Sequence, residues 1–349
     1  MAEDGLSLDL TLLHGFAFTC RPDCGLCCYA EPRIEPAEGK RLLQIAPHVE
    51  VVSRAGGSFL GSRPDGGACQ FLSGNRCGAW AARPGPCQQF PITVHVGERL
   101  QASLVLSCPG IGLEALADGV PWSERAPPHG LDGEIRAARS RLHPGVGRTV
   151  EEAGRRRRRV RLTLERTGQW VDEESVRAEL RASIPLPDAE DFPVPDPPSV
   201  QEGIAALPLF FDHRPGPVAL AAGLGGWEFL ELHAEGGGDT LAVVPPPDRP
   251  PELTAAGRGL LVGYLRYFLE RDALFGTVVP ELLPGGPSTV TDEVQTELRA
   301  IGALVLSRAE ARRRAFRGTS GPLSEAEVAD GIRACDQDLL DRPTWGDRL

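Results

Sequence analysis

Eight of the nine cysteines lie between positions 20 and 108, in the order Cys20-x3-Cys24-x2-Cys27-Cys28, then Cys69-x7-Cys77-x9-Cys87, then Cys108. Thiols ligate soft metals, close disulfides or attack as nucleophiles. Clustering at short spacing favours the first, because cytosolic thiols are kept reduced and short Cys-x-x-Cys steps suit chelation. The candidate metal ligands are therefore Cys20, Cys24, Cys27, Cys28, Cys69, Cys77, Cys87 and Cys108, with Cys28 and Cys108 placed second to the other six. Zinc and iron–sulfur clusters both take four thiolates, and eight thiols are enough for two such sites. Gly25, Gly78, Pro86 and Pro109 stand beside these cysteines and let backbone N–H groups turn towards sulfur.

Cys27 and Cys28 are the informative pair. In extended backbone, successive side chains point to opposite sides, so adjacent cysteines do not readily chelate one tetrahedral ion. They serve two sites, reach different irons of one cluster, or include one spare thiol. Cys335 sits in a helical run, "GIRACDQDLL", and reads as a buried, inert cysteine. His95, on a strand near the last cysteines, fills a hairpin face more readily than it ligates a metal.

The motif "CRPDCGLCC", followed by "CQFLSGNRCGAWAARPGPCQQFPI", resembles the YkgJ-type CxxxCxxCC cysteine-cluster family, described as a zinc- or iron-chelating domain. The matching positions are Cys69, Phe71-Leu72, Cys77, Trp80, Arg83-Pro84, Cys87 and Phe90-Pro91, and the likeness spans roughly residues 15–115. Trp80 stands where the family has tyrosine, which keeps aromatic packing and loses a hydroxyl. Gln88 replaces an arginine and removes a positive charge beside the sulfurs. The segment "LVLSCPGI" around Cys108 also resembles flagellin lysine-N-methylases. That likeness implies an alternative function, a cluster-dependent protein-modifying enzyme using S-adenosylmethionine. A further alternative is a metal-stabilised module that binds a partner.

Other chemistry finds little support. Lys40 is the chain's one lysine and is followed by Arg41, so no Walker A loop exists. Gly223-x-Gly225-Gly226 precedes the alternating "WEFLELHA", a strand pattern, whereas a dinucleotide loop opens into a helix. No Gly-x-Ser-x-Gly elbow is present. "DEES" at 172–175 fits a helix start better than an acid–base pair.

The elements that must position the thiols read as α+β. Residues 1–115 form a small, turn-rich cysteine-cluster unit: a helix over "EPAEGKRLLQI" with Leu42, Leu43 and Ile45 on one side, and a β-hairpin over "PITVHVGERLQASLVLSCPGI" turning at Gly97-Glu98. Residues 116–183 are helical and arginine-rich, 184–200 a proline-rich linker or wrapped arm, and 201–349 a mixed region of short strands and helices. In that region "AAGRGLLVGYLRYFLERDALFG" and "TDEVQTELRAIGALVLSRAEARRRAF" read as two amphipathic helices. A net charge of −11 argues against a nucleic-acid binder. The run Arg155–Arg159 reads first as a solvated face and second as a contact for an acidic protein partner. No apolar run could span a bilayer, and the acidic N-terminus has no basic n-region, so the expected location is the cytoplasm.

Overall fold

In a computed structural model, described outside residues 1–6, 22–23, 30–31, 55–56, 64–66, 75, 97–98, 143, 203–206, 211–216, 283, 319–320 and 341–349, the cysteine-bearing part is built from short strands and turns. In chain order these are β1 (Leu8–Asp9), β2 (Arg33–Ile34), α1 (Pro36–Ile45), β3 (Val51–Arg54), β4 (Gly57–Leu60), β5 (Leu72–Ser73), β6 (Arg76–Cys77), α2 (Gly85–Gln89), β7 (Ile92–Val96) and β8 (Leu100–Leu104). Helix α1 starts where Glu35 and Glu38 form a reciprocal capping box with Pro36 at the first turn. Its buried stripe is Gly39 and Leu42, continued by Ala46. Leu43 and Ile45 are 40% and 55% exposed, so the expected three-leucine-type face reduces to Leu42. At about 100° per residue, positions 43 and 45 fall on either side of that stripe.

The expected hairpin is present as β7–β8, paired Ile92↔Leu104 through Val96↔Leu100, and its turn at Gly97-Glu98 lies outside the described residues. Both faces are buried, with β1 added in parallel to β8. His95 Nε2 lies 3.0 Å from Ser103 Oγ across this hairpin, so it fills the sheet and is not among the cavity-lining groups described below.

The middle of the chain is helical: α3 (Glu114–Ala117), α4 (Asp132–Ser140), α5 (Pro144–Arg166) and α6 (Glu173–Ala182). Asp172 caps α6 by accepting from Ser175 N–H at 3.1 Å, the helix start expected at "DEES". Within the arginine run of α5, Arg155, Arg156, Arg158 and Arg159 are exposed, whereas Arg157 is buried and paired with Glu173. In the proline-rich tract, Phe192 and Val194 are buried in the main core.

Beyond it come β9 (Leu209–Phe210), β10 (Val218–Gly223), β11 (Gly226–Leu232) and β12 (Gly238–Val244), an antiparallel sheet in the order β12-β11-β10-β9. Gly223 pairs with Gly226, so the glycine cluster turns a hairpin and opens no helix. The chain then forms α7 (Ala255–Glu270), α8 (Asp272–Glu281), α9 (Val290–Phe316) and α10 (Glu325–Leu340). The first of the two expected long helices is broken at Arg271, which takes extended angles (φ −72°, ψ 125°). That break turns its guanidinium inward, where it is fully buried against Asp336.

One apolar core joins β1, the β7–β8 hairpin, Trp227 and Phe229 of β11, and helices α7, α9 and α10. Two smaller cores flank it, and Cys28 packs against both. The architecture is α+β, and among the named strands only β1 and β8 pair in parallel. Among the described residues no helix is long and apolar enough to cross a membrane.

Candidate metal centre

Cys20 and Cys108 are brought side by side by backbone pairing. Phe18 bridges Ile111 in antiparallel fashion, and Thr19 N–H donates to the Gly110 carbonyl at 3.0 Å. Gly110 is required there, since a Cβ would stand 2.5 Å from the Thr19 carbonyl oxygen. Cys24 is separated from Cys27 by Gly25, whose φ of +60° only glycine adopts freely. The turn aims Leu26 N–H at Cys24 Sγ, 3.4 Å away, and leads into a single 3-10 turn over Leu26–Tyr29 that carries Cys27 and Cys28.

The second group of cysteines reaches the first through the backbone too. Cys69 N–H donates to the Cys28 carbonyl at 2.6 Å. The β5–β6 pair sets Cys77 opposite Leu72, and α2 carries Cys87. Cys69, like Cys24, has the N–H two residues ahead directed at its sulfur, from Phe71; Cys77 and Cys108 receive the same contact from Ala79 and Gly110. Such N–H groups stabilise a thiolate, and they are the arrangement that metal-bound cysteines need.

All eight of these cysteines line one cavity of about 910 Å3. All nine cysteines of the chain are free thiols, and Cys335 lies apart, fully buried in α10. Burial pushes Cys24 up to about 11 and Cys108 up to about 12, and it also raises Cys20, Cys69, Cys77 and Cys87. In the adjacent pair, the Cys28 thiol donates to Cys27 sulfur, which holds Cys27 below and Cys28 above the ordinary thiol range. The Arg83 guanidinium favours the thiolate form of Cys20, Cys27, Cys77 and Cys87. The rest of the wall is mostly apolar and carries arginines, among them Arg83 and the partly buried Arg141, with Gln89, Thr93, Glu134 and Gln337 as further polar groups.

The donor set fits a thiophilic metal: sulfur ligands in the number two tetrahedral sites need, with backbone N–H groups already directed at four of them. Among the described residues no three Cys, His, Asp or Glu side chains stand close enough together to hold an ion as the chain is built. A metal held by these thiols would therefore draw sulfurs inward, as is usual for sites completed by their metal.

Residues 19–108 match the CxxCxxCC family. Its description is "Putative zinc- or iron-chelating domain", and the matched span runs from just before Cys20 to Cys108. No curated protein and no solved structure matches the chain. Within the CxxCxxCC segment, Trp80 departs from the expected aromatic packing. It is 57% exposed, and its ring carries the Arg83 guanidinium at 3.5 Å. Gln88 is also exposed and donates to the Arg83 carbonyl at 2.5 Å, so Arg83 supplies a positive charge beside the sulfurs despite the missing arginine at 88.

The groups that sequence reasoning missed come from outside the CxxCxxCC segment. Helix α10 grips the loop around Cys108 with one face. Asp336 accepts from Leu106 N–H at 2.7 Å, and Gln337 N–H donates to Ser107 Oγ at 2.9 Å. Arg333 donates to the carbonyls of Cys108 and Ile111 at 2.9 and 3.1 Å. The i, i+3, i+4 spacing of Arg333, Asp336 and Gln337 is visible in sequence, but their target more than 220 residues earlier is not.

Proposed function

We propose that this protein binds zinc or iron, the latter as an iron–sulfur cluster, through Cys20, Cys24, Cys27, Cys28, Cys69, Cys77, Cys87 and Cys108. The observation that carries this reading is the convergence of all eight thiols on one cavity. An apolar pocket filled with unliganded thiols is poor packing, whereas thiolates neutralised by a cation and by Arg83 satisfy both charge and hydrogen bonding. Nine free thiols also support a reducing compartment such as the cytoplasm. The test is anaerobic purification followed by metal analysis, acid-labile sulfide assay and absorption spectroscopy. Brown protein with iron and sulfide identifies a cluster, and colourless protein with stoichiometric zinc identifies zinc sites. Absence of both metals, with every cavity thiol freely titratable in the native protein, overturns the reading.

A second reading has its own support in the cavity's size. About 910 Å3 is ample for an organic ligand as well as a metal, since small-molecule pockets span ~300–1,000 Å3. The lining arginines outnumber the lining carboxylate of Glu134, an excess of positive charge that favours a ligand with a carboxylate, a group that S-adenosylmethionine carries. This supports a metal-dependent protein-modifying enzyme. Calorimetry of the metal-loaded protein with S-adenosylmethionine tests it, and an absence of heat removes that cosubstrate.

A further inference from the structure

The eight sulfurs reach the cavity on two different pieces of backbone. Cys20 and Cys108 are tied together by the Phe18–Ile111 bridge and the Thr19–Gly110 hydrogen bond, and Cys108 packs in the main core. Cys28, Cys69 and Cys77 are tied by the Cys69–Cys28 hydrogen bond and the β5–β6 pair, and they pack in one small separate core. The sulfurs' leading electrostatic neighbours divide along the same line. Cys108 is influenced by Cys24, Cys27 and Cys20, whereas Cys28 and Cys87 are each influenced by Cys27, Cys69 and Cys77. Cys27 alone reaches both sides.

The adjacent pair then divides between the two sides. Cys28 already belongs with Cys69 and Cys77, and Cys87 brings that group to four. Cys20, Cys24 and Cys108 lack a fourth sulfur, and Cys27 stands at the Cys-x-x-Cys spacing from Cys24 that one tetrahedral metal takes. Cys27 is also the exposed member of the pair, while Cys28 turns inward towards the small cores.

We propose that the cavity holds two four-sulfur metal sites, one formed by Cys20, Cys24, Cys27 and Cys108 and the other by Cys28, Cys69, Cys77 and Cys87. This rests on the metal-binding reading above. Two neighbouring sites explain why adjacent cysteines are useful: one backbone turn supplies a ligand to each. Arg83, whose charge reaches Cys20 and Cys27 on one side and Cys77 and Cys87 on the other, sits where it offsets the anionic charge of both.

The experiment is an anaerobic Co2+ titration of the full chain in a reducing buffer, followed through thiolate-to-cobalt charge-transfer absorption. The wild type is expected to take two equivalents. Cys20→Ser/Cys24→Ser and Cys69→Ser/Cys77→Ser each retain one, because each removes a single site. Cys24→Ser/Cys69→Ser retains none. Cys27→Ser/Cys69→Ser likewise retains none, whereas Cys28→Ser/Cys69→Ser retains one. A second measurement uses only wild type, so it survives variants that misfold. At half loading, alkylation followed by mass spectrometry should show protection in the two blocks of four. Equal cobalt retention by same-set and cross-set doubles, or protection of all eight thiols in step, establishes one centre and overturns the partition while leaving metal binding intact. A wild type that takes up no cobalt and carries no zinc or iron overturns the metal-binding reading itself, and the partition with it.

Discussion

Arg333 donates through Nη1 to the carbonyl oxygen of Cys108 at 2.9 Å, a contact between residues 225 positions apart. Its other terminal nitrogen holds Ile111. The last cysteine of the CxxCxxCC segment is thus fixed by a helix that the segment does not include. Replacing Arg333 by Met should leave the fold in place and loosen this loop. The expected outcome is faster alkylation of Cys108 by iodoacetamide in metal-free protein and about tenfold weaker retention of metal, the scale on which outer-shell partners act. Arg333→Lys, which keeps one donor, should recover part of both. Unchanged Cys108 reactivity would show that the loop is held without the guanidinium.

The same helix carries Asp336, paired with Arg271 at 2.6 Å where neither side chain is exposed. Around the pair, Tyr264 Oη–H and Leu106 N–H donate to Asp336, and Arg271 donates to the Leu104 carbonyl. Removing one partner leaves a buried, uncompensated charge. Asp336→Ala should therefore cost about 3–5 kcal/mol in urea unfolding. Replacing both residues together by Met and Leu should cost clearly less, because no lone charge remains. Equal loss in the single and double variants would mean that the hydrogen bonds to backbone matter more than the charges.

Local signals in the chain were good guides where a local cause acts. The β7–β8 hairpin follows from two β-branched runs, the α6 start from the cap at Asp172, and the N–H···S contacts from glycines and short turns beside Cys24 and Cys108. The family motif picks out the thiols of residues 19–108 for the same reason, since its spacing is a local pattern, and the structure sets all eight on one cavity. Long-range causes were not legible. Nothing near Arg271 announces that it will leave a helix to meet Asp336, and nothing near Arg333 announces Cys108. Leu42, Leu43 and Ile45 read as one side of α1, but apolar character alone cannot say which stripe of a short helix finds a neighbour. The arginine run concealed one buried member, Arg157, because the carboxylate that recruits it lies on the next helix.

Helix α9 offers a pH test away from the thiols. Asp292 accepts hydrogen bonds from Thr289 N–H at 2.8 Å and from Thr289 Oγ–H at 2.8 Å, which hold its carboxyl below the ordinary aspartate range. A carboxylate depressed in the folded state contributes stability above its unfolded pKa and loses it as pH falls through its folded pKa. Asp292→Asn should thus be less stable than wild type near neutrality, by no more than about 0.5 kcal/mol for so exposed a carboxylate. The gap should close between about pH 4 and about pH 2. Urea midpoints of metal-free protein across that range provide the check, with thiol protonation common to both proteins. A gap that is constant with pH would assign the effect to shape alone.

Four exposed arginines of α5 and the buried fifth should separate cleanly in experiment. Arg155, Arg156, Arg158 and Arg159 face solvent, and Arg156 makes a loose helix-surface pair with Glu152 at 3.9 Å. Surface pairs of that kind contribute little, so each Arg→Ala change there should shift stability by less than about 0.5 kcal/mol. Arg157 is different, because burial already raises the Glu173 carboxyl despite Arg157 and Arg177 beside it. Arg157→Ala leaves that carboxylate with weaker compensation and should cost about 3 kcal/mol. If the exposed four form a contact for an acidic partner, the quadruple alanine variant should lose retention on immobilised polyglutamate at low salt with its metal content unchanged. Arg157→Gln should retain full binding while unfolding at lower urea. Retention that survives the quadruple change would assign the run to solvation alone.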